Sequence, residues 1–130
     1  LPHLEEHIAC KKAIYERYKE GFKDLPVTMN PYDPNTMEPN FWLSCMLIDR
    51  GCNVQFMDII NALADENIEG RPIWKPMHMQ PVYRGSPFVA AGDGHVGEDI
   101  FQRGLCLPSD NKMTPEQQDI IIQVIRSCFE

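Results

Sequence analysis

"NFWLSCMLID", Asn40 to Asp49, is the stretch whose reading decides the fold class. It contains neither proline nor glycine. Apolar residues fill both alternating sets, Phe41, Leu43, Cys45 and Leu47 on one and Trp42, Met46 and Ile48 on the other. Successive strand side chains point to opposite faces, so a strand apolar in both sets is covered on both sides. The stretch predicts a central strand, and the sequence around it supplies the covering layers.

On the N-terminal side, "PYDPNTMEP" (31–39) is barred from regular structure by its prolines, and "LPVTMN" (25–30) predicts a short second strand. Before them, residues 3–22 hold Leu4, Ile8, Tyr15, Tyr18 and Phe22 at helical spacing with only Lys11 interrupting, which predicts an amphipathic helix. A helix opening at the second residue leads us to expect that the chain was cut from a longer one. On the C-terminal side, Phe56, Ile59, Ile60 and Leu63 predict a helix over 53–67, "EDIFQR" (98–103) a short helix closed by Gly104 as its C-cap, and "LCLP" (105–108) a short strand. Thr114, Pro115 and Gln117 form a capping-box signature, and the following helix is expected to bury Ile120, Ile121, Val124, Ile125 and Cys128. The order predicts an α/β fold of α+β-like character, a few mostly antiparallel strands packed with helices.

The 130 residues fit one domain, and 43% hydrophobic with 24% charged residues is an ordinary globular balance. A net charge of −7 opposes a general nucleic-acid or membrane-surface binder, so an anion site must be a local cluster, for which Lys75, Arg71 and Arg84 are available. The five cysteines form no C-x-x-C pair and predict reduced thiols and a cytoplasmic protein, with Cys45 and Cys106 as small core residues. No apolar run approaches bilayer length, so no membrane association is expected.

Three motifs carry potential chemistry. "HLEEH" (3–7) matches the H-x-x-E-H zinc pattern, but lacks an evident third ligand and reads as a solvated helix face, so no metal is assigned. "GDGHVG" (92–97) matches G-x-G-x-x-G but lacks the surrounding strand–helix–strand unit and reads as a mobile surface loop. "IEGRPIWKPMHMQPVYRG" (68–85) gathers Arg71, Trp74, Lys75, His78 and Gln80 on a loop stiffened by Pro72, Pro76 and Pro81. A histidine that titrates near neutrality, beside cations, an amide and an aromatic surface, marks a binding loop. Lys75 as a Schiff-base lysine finds no supporting residues, and an anion contact is the reading kept for it.

These residues also carry a resemblance. "NIEGRPIWKPMHMQPVY" resembles the C-terminal segment of the DegT/DnrJ/EryC1/StrS family of pyridoxal-phosphate-dependent sugar-nucleotide aminotransferases, with Ile68, Arg71, Pro72, Trp74, Pro76, His78, Gln80, Pro81 and Tyr83 on matching positions. "FQRGLCLPSDNKMTPEQQDIIIQVI" resembles the family's last strand and helix, and "KKAIYERYKEGF" its interdomain helix. The resemblance implies that 1–130 is the C-terminal small domain of a fold-type I enzyme, that 1–23 is the end of the interdomain helix, and that the large cofactor-binding domain is absent.

It further implies amino transfer from glutamate to a nucleotide-linked 4-keto-6-deoxy sugar by an intact homodimer holding pyridoxal phosphate. The W-K-x-M-H version of the pattern, Trp74 to His78, is most similar to enzymes of bacillosamine-type sugar synthesis, which implies a UDP-linked substrate and a role in polysaccharide biosynthesis. No lysine lies in the family's S-x-H-x-x-K setting, so this chain is expected to be inactive alone, to bind no cofactor and to contribute no catalytic residue. Its share would be one wall of the cleft, with His78, Gln80, Lys75, Arg71 and Trp74 as substrate contacts. The alternatives are a stand-alone nucleotide-sugar-binding or regulatory module, and a dinucleotide-dependent enzyme built on "GDGHVG". Exposed apolar residues are then expected on the surface that normally meets the large domain, where they would drive self-association.

Overall fold

The computed structural model describes residues 2–92 and 94–130. Its elements are α1 (Leu4–Gly21), β1 (Val27–Met29), β2 (Ser44–Ile48), α2 (Phe56–Asp65), β3 (Arg71–Pro72), α3 (Val96–Arg103), β4 (Gly104–Leu107) and α4 (Pro115–Ser127). The strands form one antiparallel sheet in the order β1-β2-β4-β3, with β2 internal as its apolar pattern requires. Among the described residues no helix is long and apolar enough to cross a membrane.

Register sorts the side chains into two faces, because directly paired antiparallel residues point the same way. Met29, Met46 and Leu105 form one row and Val27 with Ile48 another, and both join the core made with α1, α2 and α4. From the helices come Tyr15 and Tyr18, Ile59 and Leu63, and Ile121, Ile122 and Ile125. Buried phenols need partners. Tyr18 donates to the Pro108 carbonyl at 2.8 Å and Tyr15 to that of Asn30 at 2.7 Å, while burial pushes the Tyr18 pKa upward. Buried Gln118 donates to the Ile14 carbonyl at 2.8 Å, tying α4 to α1.

The second face carries Cys45, Leu47, Gly104, Cys106 and, from the edge strand, Arg71. Part of it is roofed by α3 and Ile73. A Cβ placed on Gly104 would stand 2.5 Å from Ile73 Cδ1, 2.6 Å from the Ile100 carbonyl oxygen and 2.8 Å from Leu47 Cδ2. Gly104 is thus required by contact, and the C-cap expectation is corrected in kind: its φ of −109° is extended backbone opening β4, not a left-handed cap.

Other expectations change for identifiable reasons. The 40–49 strand shrinks to Ser44–Ile48 because Phe41 adopts φ 51° and turns into a cluster with Tyr15 and Tyr32, at ring separations of 5.3 and 5.1 Å. Trp42 is left 65% exposed. The long loop contains an unforeseen strand, β3, whose Pro72 is tolerated because an edge strand leaves one side unpaired. On α4 the buried face keeps Ile121 and Ile125, with Val124 and Cys128 packed against the core, but Ile120 is half exposed and Ile122 takes its place. "GDGHVG" includes Asp93, which lies outside the described residues. The chain after it enters an eight-residue helix and an antiparallel strand, so the parallel unit a dinucleotide turn requires is not built.

Candidate functional site

The loop from Ile68 onward is held at one end by β3. Arg71 and Pro72 pair with Cys106 and Leu105, and the Ile73 amide donates to the Gly104 carbonyl at 3.3 Å. Two tight 3-10 turns follow, Met77–Met79 and Pro81–Tyr83, each led by a proline whose fixed φ pre-sets the turn. Amides of Met79 and Gln80 donate to Pro76 and Met77, and the Gln80 side chain donates to the Lys75 carbonyl at 3.2 Å. Gln80 therefore braces the loop that presents His78.

The half-buried His78 imidazole stacks on Phe88 at 3.8 Å between ring centres, and its Nε2 lies 2.7 Å from Glu98 Oε1. The same oxygen lies 3.1 Å from His95 Nδ1. A carboxylate accepting the Nε2 hydrogen selects the tautomer in which Nδ1 is the acceptor. This gives His78 a fixed orientation, with Nδ1 making no hydrogen bond among the described residues. The ligand atoms of His78, His95 and Glu98 all lie within 4.8 Å of one another, a two-imidazole, one-carboxylate set of the kind that suits a divalent transition ion.

The other expected site residues are not gathered around His78. Arg71 forms an exposed pair with Glu69, its Nε donating at 2.9 Å. Trp74 is 63% exposed beside Trp42, with ring centres 6.2 Å apart. Lys75 is exposed. Among the described residues, the side-chain bonds and ring contacts of His78 go to Glu98, Phe88 and His95 and not to Arg71, Lys75 or Gln80. Phe88, His95 and Glu98 were not legible as site residues, because they sit in and just after the stretch that reads as a surface loop. The one available signal was His95 and Glu98 at i, i+3 across a helix start.

The two histidines of the HLEEH match face different partners. His3 pairs with Glu6 at 3.0 Å on an exposed turn, whereas the His7 ring meets the Asn111 side chain. Cys106 is buried as expected, but Cys45 is only half-buried, and their sulfurs are 3.7 Å apart. A hydrogen bond from Cys45, then the charge of Arg71, lowers the Cys106 pKa against the effect of burial. A groove of about 680 Å³ lined by Ile68, Met113, Ile120 and neighbours shares no lining residue with the His78 cluster and brings no comparable set of ligands together.

The family model of the DegT/DnrJ/EryC1/StrS aminotransferases matches residues 1–126. EpsN of Bacillus subtilis (strain 168), which carries the name of a pyridoxal phosphate-dependent aminotransferase, is 37% identical over 127 residues, covering 97% of this chain and 32% of the relative. A GDP-perosamine synthase of Vibrio cholerae is 25% identical over 129 residues, covering 99% of this chain and 34% of that one. A crystal structure of a DegT DnrJ EryC1 StrS aminotransferase from Brucella abortus superposes with a TM-score of 0.81 at 27% identity, covering 98% of this chain and 32% of that one. The chain spans about a third of the length of the proteins it matches.

Proposed function

The chain belongs to the DegT/DnrJ/EryC1/StrS aminotransferase family, and from that premise we propose that it is the C-terminal small domain of an enzyme that aminates a nucleotide-linked 4-keto-6-deoxy sugar. In this proposal 1–23 is the end of a helix leading from a larger cofactor-binding domain, and the intact enzyme is a homodimer.

The residues described here do not by themselves fit pyridoxal phosphate. Lys75, the one lysine of the 68–85 stretch, is exposed and lacks the apolar enclosure that activates an amine, and the carboxylate of the His78 cluster already faces two imidazoles. The cofactor is therefore assigned to the larger domain, where it would carry the amino group from glutamate to the sugar.

The part left to this chain is binding and orientation. The observation that carries the reading is the Glu98-oriented His78 on a proline-braced loop, within the residues that the family model matches. His78 Nδ1 would accept from a sugar hydroxyl, while Phe88 holds the ring plane. The GDP-perosamine synthase relative supports an amino sugar on a nucleoside diphosphate, and we take the UDP-linked substrate as the first to test.

The test uses the intact enzyme of this proposal. Removing one partner of a hydrogen bond in a closed site costs about 1–3 kcal/mol, roughly five- to a hundredfold. His78→Ala is expected to lower kcat/KM for the keto-sugar by that factor, with the half-reaction with glutamate little changed. An unchanged sugar step, or an equal loss in both half-reactions, would remove His78 from the sugar site.

A further inference from the structure

We propose that Cys45 and Cys106 are an oxidative modification site, closing to a reversible cross-strand disulfide when the protein meets a hydroperoxide. The two are direct partners across β2 and β4, with sulfurs 3.7 Å apart. The backbone of Cys45 shows which kind of pair this is. Its amide donates to Asn30 Oδ1 at 2.9 Å and its carbonyl accepts from the Asn30 amide at 2.9 Å, so both peptide groups are spent on the β1 side.

Cys45 and Cys106 are therefore a non-hydrogen-bonded antiparallel pair, the type in which Cα atoms approach to about 4.5 Å and side chains are closest. That spacing falls within the range of about 4.4–6.8 Å that a disulfide spans. The strands can close the bond without changing register.

The surroundings assign the roles. Cys106 is in register with Arg71 on the neighbouring strand, and a hydrogen bond from Cys45 with the charge of Arg71 favours its thiolate against the effect of its own burial. Cys45, pushed towards its neutral form by the same contact and by burial, is the resolving thiol. The Cys106 thiolate attacks one peroxide oxygen, the O–O bond breaks, and the departing hydroxide takes a proton to leave as water, giving a sulfenic acid. The Cys45 sulfur then attacks the sulfenic sulfur. The S–O bond breaks and the second hydroxide leaves as water with the Cys45 proton. Two thiols lose two electrons to one peroxide, and a dithiol reductant reverses the change.

Cys10, Cys52 and Cys128 provide internal controls. Cys10 and Cys128 donate to the carbonyls of Asn111 and Val124, and all five cysteines are free thiols in this structure. The experiment treats the chain with one equivalent of hydrogen peroxide at pH 7 and counts thiols after denaturation. The expected result is a fall from five to three, a Cys45–Cys106 linked peptide in the digest, and full recovery with dithiothreitol. Cys45→Ser should stop at a sulfenic acid trapped on Cys106 by dimedone. Cys106→Ser should slow thiol loss about tenfold, because ordinary thiols are only a few per cent ionised at this pH. Five surviving thiols, a linkage between other cysteines, or an unchanged rate in a folded Cys106→Ser protein would overturn the proposal. If either variant fails to fold, the linked peptide from the unmutated chain decides.

Discussion

At the scale of single residues, Gly104 joins fold to site. It opens β4 beneath the short helix α3, and the space a side chain would need is filled by Ile73, Ile100 and Leu47. Two of those contacts are flexible side-chain ends, but the Ile100 carbonyl is backbone and cannot step aside without moving α3. Overpacking of this kind costs about 1–3 kcal/mol. Gly104→Ala should lower the urea midpoint correspondingly at an unchanged slope. It should also weaken the His78 station, since Glu98 rides on α3. A variant as stable as the parent would show that α3 is not seated as described. The tight approach could not be read from sequence, where the same glycine looked like a helix stop.

At the scale of elements, α1 and α4 are latched at their C-terminal ends. Arg126 donates to the Gly21 carbonyl at 2.7 Å and to both oxygens of Asp24, at 2.6 and 2.7 Å. Its guanidinium holds the Asp24 carboxyl well below the usual carboxylate range, at about 2. A carboxyl with a depressed folded-state pKa contributes stability that is present above its unfolded value and is lost as pH falls through the folded one. The Asp24 contribution should therefore be complete above about pH 4 and fade towards pH 2. The pair is exposed, so its magnitude is modest and sensitive to salt. Asp24→Asn should flatten the acid limb of a stability–pH curve measured at low salt. An unchanged limb would show that the latch closes no gap between the helices. The start of α4 was fully legible: Gln117 donates to Thr114 Oγ1 at 3.3 Å and Thr114 to the Gln117 side chain at 3.0 Å. Its buried face was legible at Ile121, Val124, Ile125 and Cys128 but not in the choice of Ile122 over Ile120, because three consecutive isoleucines leave that choice open until neighbours select it.

At the scale of the whole molecule, the helices cover one sheet face fully and the other only in part. Trp42 and Trp74 stand exposed together, and Met77 is exposed on the same loop as Trp74. Paired exposed indoles of this kind mark a surface that another body covers, consistent with the larger domain proposed above. The isolated chain should then self-associate at high concentration. Replacing both tryptophans by serine should shift its sedimentation towards the monomer with little change in thermal midpoint, as neither lies in the core. A monomeric parent chain at millimolar concentration would show that this surface does not drive association.

The sequence by itself determined what local patterns can determine. The α1 helix, the internal position of β2, the cap of α4 and the family-matched loop around His78 each depend on residues close in the chain, whose periodicity or motif is complete without a partner. Only the tertiary structure decided what depends on distant segments meeting. A two-residue strand at Arg71–Pro72 exists because β4 offers it an edge. Phe41 leaves its strand because two tyrosines receive it. His78 acquires Glu98, His95 and Phe88, and Cys45 acquires Cys106, because the antiparallel sheet and its covering helix bring those segments together. Such contacts are set by packing across a closed chain, and no spacing along the sequence encodes them.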